Sequence, residues 1–350
     1  MVTIVSGGRV ARTTSVSRPF AAIVVAALLL SVAGCANAAP AIPKSFTITG
    51  YADTSGTTTQ QLAASAKAMT EVGIDGVTLT ADGAGISTPD ASARRLLAKT
   101  HALHLKASLL FSNWSNSIGD FSDRLAEKMF TSPAHITSVV AALSHEVTKD
   151  GWDGVTIDLE SLNQWGAAGH TRDDNAGLTS FVTALRAALG SHSLSICLTA
   201  TTGSYEDLGY DIPTIAKNVD HLALMAYDQH GPTWSKAGPI GGYPWVKASV
   251  ASLRKSAPAS LIQLGIGQYG YTWPTRGTGT TYSDAAARAL VKRKRGTAVW
   301  SSTQQEWHAT LKGETIWWSD FRSYRSRLAL AQSLHLGGVA VWSLGEGDPL

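Results

Sequence analysis

The sequence predicts a (β/α)8 barrel with a small α+β insertion after its seventh strand, on three observations. Between residues 46 and 350, short apolar runs alternate with amphipathic helix-like segments, the pattern of parallel strands joined by helical crossovers. The turn after the first run, Gly50-Tyr51-Ala52-Asp53-Thr54-Ser55-Gly56, is not the Gly-rich phosphate loop that a doubly wound open sheet would usually carry there. The alternation breaks once, over 274–316, where a polar, turn-rich stretch separates the seventh strand from the last helix.

In order, the strands are expected at Phe46–Ala52, Gly76–Thr80, Leu105–Phe111, Gly154–Glu160, Leu194–Thr199, His221–Tyr227, Leu261–Ile266 and Gly338–Ser343. Helical periodicity lies between them, at Gln61–Val72, Asp90–Ala102, Ile136–Lys149, Leu178–Leu189, Trp245–Lys255 and Phe321–Leu334. Within the insertion, Thr297–Trp300, Glu306–Ala309 and Glu314–Trp318 read as short strands.

The chain has 350 residues, 44% of them hydrophobic and 16% charged, which is material for a large core and excludes disorder. Its formal charge of +3 comes from Arg9, Arg12 and Arg18, because residues 1–34 contain no acidic residue and the remainder balances. No nucleic-acid partner is therefore expected. The run Lys292-Arg293-Lys294-Arg295 reads as a solvated helix terminus. The three arginines precede the apolar run Phe20–Leu30, too short to span a bilayer but suited to an export signal over 1–34. Val32-Ala33-Gly34-Cys35 resembles a bacterial lipobox, which implies lipidation of Cys35 and a membrane-anchored, exported protein. An ordinary secretory signal is the alternative. Residues 35–45 then form an Ala/Pro tether, and 46–350 the barrel. With Cys35 lipidated no intramolecular disulfide can form, and Cys197 reads as a packed strand thiol.

The chemistry concentrates in Gly151-Trp152-Asp153-Gly154-Val155-Thr156-Ile157-Asp158-Leu159-Glu160. Alternation on a strand turns Val155, Ile157 and Leu159 toward the helices and Thr156, Asp158 and Glu160 into the barrel. Glu160 then stands at the carboxyl end, where barrel enzymes keep their chemistry. Two carboxylates on one face, partly buried, raise the pKa of one member and create a proton donor. The bland alternative, a buried ion pair, lacks an inward-facing Lys or Arg on the strand.

Asp153–Glu160 resembles the Asp-Gly-x-Asp-x-Asp-x-Glu signature of glycoside hydrolase family 18, and within it the spore-germination and cortex-lytic branch of N-acetylglucosaminidases. Four later segments agree in order: Met225-Ala226-Tyr227-Asp228-Gln229-His230, Gly265–Trp273, Trp317–Ser323 and Gly337–Gly345. The resemblance implies retaining, substrate-assisted hydrolysis of β-linked N-acetylglucosamine in cell-wall peptidoglycan. Glu160 would be the acid and later the base. Asp158 and Tyr227 would hold the 2-acetamido group that attacks. Asp228 would bind the sugar, and Trp342 would lie beneath it. Tyr269, Trp273, Thr156 and Gln229 complete the candidate binding set. Thr156 stands where many chitinases have a second Asp; a hydroxyl there can donate to Asp158 but cannot relay a full charge, which weakens a chitinase assignment. A chitinase and a non-catalytic, lectin-like glycan binder are the alternatives, the latter disfavoured because Glu160 is retained. No cofactor is called for, no His-Glu-x-x-His or Cys/His cluster suggests a metal, and a monomer is expected. His230 could line the cleft, whereas His101 and His104 read as a local pair. Trp114, Trp165, Trp234 and Trp318, with Trp273, fall in loops or in the insertion, where indoles suit stacking on sugar rings.

Overall fold

A computed structural model describes residues 45–163 and 173–350; the signal segment, most of the tether with Cys35, and Trp165 lie outside the described residues. Eight parallel strands close into a barrel: Thr47–Ala52, Glu71–Thr78, Lys106–Ser112, Gly154–Asp158, Ser193–Thr199, His221–Met225, Ile262–Gly267 and Gly338–Trp342. Each pairs with its sequence neighbours, and Thr47 opposite Gly338 closes the ring. Helices cross between strands and pack outside. Alternation sorts the strand residues into two shells. Val72, Ile74, Leu109, Phe111, Val155, Ile157, Leu222, Leu224, Val339 and Val341 join the large core beneath the helices. Tyr51, Leu110, Cys197, Ala223 and Ala340 pack together in the lumen.

The second strand begins at Glu71, where the sequence reading had a helix running to Val72. The helix stops at Ser65 and a short 3-10 turn, Ala66–Ala68, follows. Thr70 then exchanges hydrogen bonds with the Ile48 backbone, drawing the chain against the first strand. The inward position Gly73 has no side chain to show a period, because a Cβ there would meet the Tyr51 ring. A register shift between Asp75 and Val77 further masks the alternation.

The fourth strand is delivered by the helix Pro133–Asp150, whose Ser132 cap accepts from the His135 N–H and which stops at Gly151 in the left-handed region (φ 79°). Trp152, 1% exposed, then anchors the turn into Gly154. Glycine is required at 154 because a Cβ would meet the Ser193 backbone of the fifth strand.

The insertion is a five-stranded antiparallel sheet. Its order is Thr281–Ser283, Tyr269–Pro274, Glu314–Trp318, Glu306–Leu311, Val299–Ser301. It packs the helix Asp284–Arg293 onto a small core of Ala287, Leu290, Val291, Ala309, Leu311, Ile316 and Trp318. The sheet thus spans Tyr269 to Trp318, where 274–316 was expected. Only Gln268 separates it from the seventh strand, so in sequence the two strands run together. A buried ion pair ties the insertion to the loop after the sixth strand. Glu306 accepts from the Ile240 and Gly241 N–H groups (2.7 and 2.9 Å), and Arg327 donates to Glu306 (3.1 Å) and to the Gln305 and Gly241 carbonyls. Residues 292–295 lie exposed at the end of the insertion's helix, with Lys294 paired to Glu314.

Candidate active site

The fourth strand's ladder ends at Asp158, opposite Ser112 of the third. Glu160 therefore lies two residues beyond the strand instead of within it, and a side chain takes over from the ladder. Asn113, fully buried, accepts from the Glu160 N–H and donates to the Glu160 carbonyl, both at 2.9 Å, and also donates to the Ser122 carbonyl (2.9 Å). Tyr210 donates its hydroxyl to the Leu159 carbonyl (3.2 Å). Glu160 is thus aimed by its own backbone.

A cavity of ≈ 260 Å³ opens at this end of the barrel, lined by Asp158, Glu160, Tyr227 and Asp228 together with Tyr51, Phe121, Cys197, Trp245 and Trp342. Trp342 ends the eighth strand with its ring 6.2 Å from that of Tyr51. A second cavity of ≈ 590 Å³ shares Leu110, Phe121, Asp158 and Trp342 with the first and adds Asp53, Asp75, Asp90 and Trp114. Together they make a groove across the barrel mouth. Among the described residues no Lys or Arg lines either cavity.

Burial pushes the Glu160 carboxyl well above its ordinary range, and the charges of Asp158, Asp228 and Asp120 add to it. Asp158 is raised to about 7, first by burial and then by Asp75, with a hydrogen bond from Cys197 opposing. Asp158 Oδ1 is buried with no partner. Burial likewise keeps the Tyr227 hydroxyl protonated, so it remains a donor. Asp228 sits in the left-handed region (φ 55°), and its Oδ1 accepts from the hydroxyls of Tyr269 (2.5 Å) and Tyr271 (2.9 Å). Those bonds oppose the burial that raises its pKa.

The remaining candidates stand apart from the first cavity, and of them only Trp114 lines the second. Thr156 is 2% exposed below the pocket, and its hydroxyl pairs with Ser108 at 2.9 Å instead of Asp158. The third strand offers a hydroxyl at the same level, so Thr156 bonds sideways. Gln229 accepts from the Gly242 N–H and braces the loop. Tyr269, 3% exposed, reaches the site through Asp228. The Trp273 indole donates to the Gly231 and Ser235 carbonyls, and His230 bonds the Pro239 carbonyl. Trp318 belongs to the insertion core. Trp114 and Trp234 are exposed. The sequence reading missed Asn113, Tyr51, Cys197, Asp75, Phe121 and Trp245. Tyr51 and Cys197 were within reach of strand alternation, since both share the inward face of a strand; Asn113 carried no such signal. Among the described residues no group of His, Cys, Asp and Glu is arranged to hold a metal.

The model of the glycosyl hydrolases family 18 matches residues 47–347. The chain is similar to the uncharacterized glycosylase YvbX of Bacillus subtilis, at 24% identity over 69% of this chain and 72% of that protein. It is similar also to the putative sporulation-specific glycosylase YdhD of the same organism, at 26% identity over 65% of this chain and 56% of that one. Among solved structures its fold resembles a chitinase from Chromobacterium violaceum (TM-score 0.77, 22% identity, 87% of this chain and 95% of that one). It also resembles the spore cortex-lytic enzyme SleL of Bacillus cereus (TM-score 0.74, 19% identity, 86% and 71%). These last two likenesses are of fold. With the family match running from the first barrel strand past the eighth, the chain is a glycoside hydrolase and belongs to family 18.

Proposed function

We propose that this hydrolase cleaves β-linked N-acetylglucosamine in bacterial cell-wall peptidoglycan with retention, using the substrate's own acetamido group as nucleophile. One observation carries the reading: a carboxyl with a strongly raised pKa, Glu160, stands beside a buried carboxylate whose Oδ1 has no partner, in a cavity that Trp342 lines. Glu160 protonates the glycosidic oxygen as the acetamido carbonyl oxygen bonds to C1 and the C1–O bond breaks, which forms an oxazolinium ion and releases the alcohol. Asp158 accepts from the acetamido N–H and offsets the developing positive charge. Tyr227 donates to the same acetamido group, and Asp228 binds the sugar above the Trp342 ring. Glu160, now ionised, takes a proton from the water that attacks C1 as the bond from C1 to the acetamido oxygen breaks, which restores the acetamido group.

The choice of peptidoglycan is supported by the likeness to cortex-lytic and sporulation enzymes. A second reading, hydrolysis of chitin oligosaccharides, is favoured by the absence of Lys and Arg from the lining among the described residues, which leaves a muramic acid carboxylate without a partner. Purified protein given peptidoglycan and chitin oligosaccharides side by side, with products identified by mass spectrometry, separates the two. The Glu160→Gln variant should lose hydrolysis of either; undiminished turnover would sink the assignment. NMR of the first-formed product should show the retained anomer. We also propose export with a lipid on Cys35; Cys35→Ser should then move the protein from the membrane fraction to the soluble one.

A further inference from the structure

We propose that Cys197 is a positioning residue for Asp158, its thiol donating to the carboxylate while Tyr51 holds the sulfur from the far side. The proposal rests on the role given to Asp158 above. The fourth and fifth strands pair with Ile157 opposite Ile196, which sets the next inward residues, Asp158 and Cys197, side by side. Cys197 is 4% exposed and lines the catalytic cavity. Its sulfur lies 3.7 Å from the Tyr51 hydroxyl, and the strand register places the Asp158 carboxyl next to it in the same cavity. A thiol has one proton. With that proton on the Asp158 carboxylate, the sulfur accepts from Tyr51, so the three groups form one chain of donors.

The position that could serve Asp158 from its own strand is taken out of use, because the Thr156 hydroxyl pairs with Ser108. Asp158 Oδ1 stays without a partner, free for the acetamido N–H. The groups that face Asp158 are Tyr51 from the first strand, Asp75 from the second and Cys197 from the fifth. Tyr227 and Asp228 face it from beyond the sixth, and Glu160 from its own segment. None of the groups is cationic. The thiol favours the ionised carboxylate and opposes the pull of Asp75.

The test compares the full-length protein with Cys197→Ala, Cys197→Ser and Asp158→Asn on a chromogenic N-acetylglucosamine oligosaccharide, from about pH 4 to pH 9. Cys197→Ala should lose about tenfold in kcat with KM within about twofold, and its acidic limb should move to higher pH. Cys197→Ser, which keeps a donor, should restore both. Wild-type kcat and limb in Cys197→Ala would overturn the proposal, as would equal impairment of the Ala and Ser variants with lowered melting temperatures, which marks a packing role. If Asp158→Asn is inactive while Cys197→Ala matches the wild type, the thiol's role falls alone. If Asp158→Asn is fully active, the reading of Asp158 fails and this proposal with it.

Discussion

Replacing Asn113 with alanine removes the clamp on Glu160 without touching the carboxyl itself. The truncation deletes three hydrogen bonds of 2.9 Å and leaves the Glu160 N–H and carbonyl without that partner, while the Ser122 carbonyl keeps the N–H groups of Leu125 and Ala126. Each orphaned group costs about 1–3 kcal/mol, and water entering the vacated space recovers part of it, so a net loss of about 3 kcal/mol is reasonable. For a domain of this size that is a fall of about 5–10 °C in melting temperature. The catalytic loss should be larger in proportion, because Glu160 stands past the end of its strand and a displacement near 1 Å costs about 100-fold in rate. Thermal denaturation and kcat on an N-acetylglucosamine oligosaccharide, measured on the same preparations, give both numbers. Asn113→Asp provides a second reading. It keeps the acceptor for the Glu160 N–H but adds a negative charge nearby, which should raise the Glu160 pKa further and move the basic limb of the pH profile upward. An Asn113→Ala protein that melts normally and turns over at the wild-type rate would refute the clamp.

Three further outcomes follow from the electrostatics. Asp75 is one of the two causes that raise Asp158, so Asp75→Asn should lower the Asp158 pKa and move the acidic limb of kcat to lower pH. Burial, with the charges of Asp53 and Asp90, pushes the Asp75 carboxyl itself up to about 6, so the displacement should grow above that pH; an unmoved limb contradicts the coupling. Asp284, fully buried with its pKa raised to about 8, favours folding while protonated. Its contribution is complete below the unfolded pKa of about 4 and is lost as pH rises through the folded value, so Asp284→Asn should stabilise the protein by about 1–2 kcal/mol at pH 8 and not at pH 4. Melts at the two pH values read this directly. Arg327→Met leaves Glu306 buried without its cation and should cost about 3–5 kcal/mol, visible as a large drop in melting temperature; the double variant with Glu306→Leu should recover part of it.

The eight strands were legible because a barrel buries one face of each strand under helices, and a run such as Val155-Thr156-Ile157-Asp158 shows that alternation plainly. The second strand was misplaced where the period is erased by Gly73 and the register shift after Asp75. The insertion's first strand was missed because Tyr269–Pro274 continues an extended run with only Gln268 between, and what distinguishes the two strands is the partner each chooses.

From the chain alone came the barrel, the pair Asp158 and Glu160 at its carboxyl end, and the later segments bearing Tyr227, Asp228 and Trp342. The barrel and the carboxylate pair follow from local periodicity and from residue types whose chemistry is intrinsic, and the later segments from their resemblance to the family's motifs. The tertiary structure decided which side chains stand around that pair. It set Thr156 against Ser108, turned Tyr269 onto Asp228, spent the Trp273 indole on a loop, and brought Asn113, Tyr51, Cys197 and Asp75 to the site from four other strands or their ends. The physical reason is that hydrogen bonding and desolvation depend on neighbours across strands, and barrel closure sets those neighbours at sequence separations such as the 146 residues between Tyr51 and Cys197.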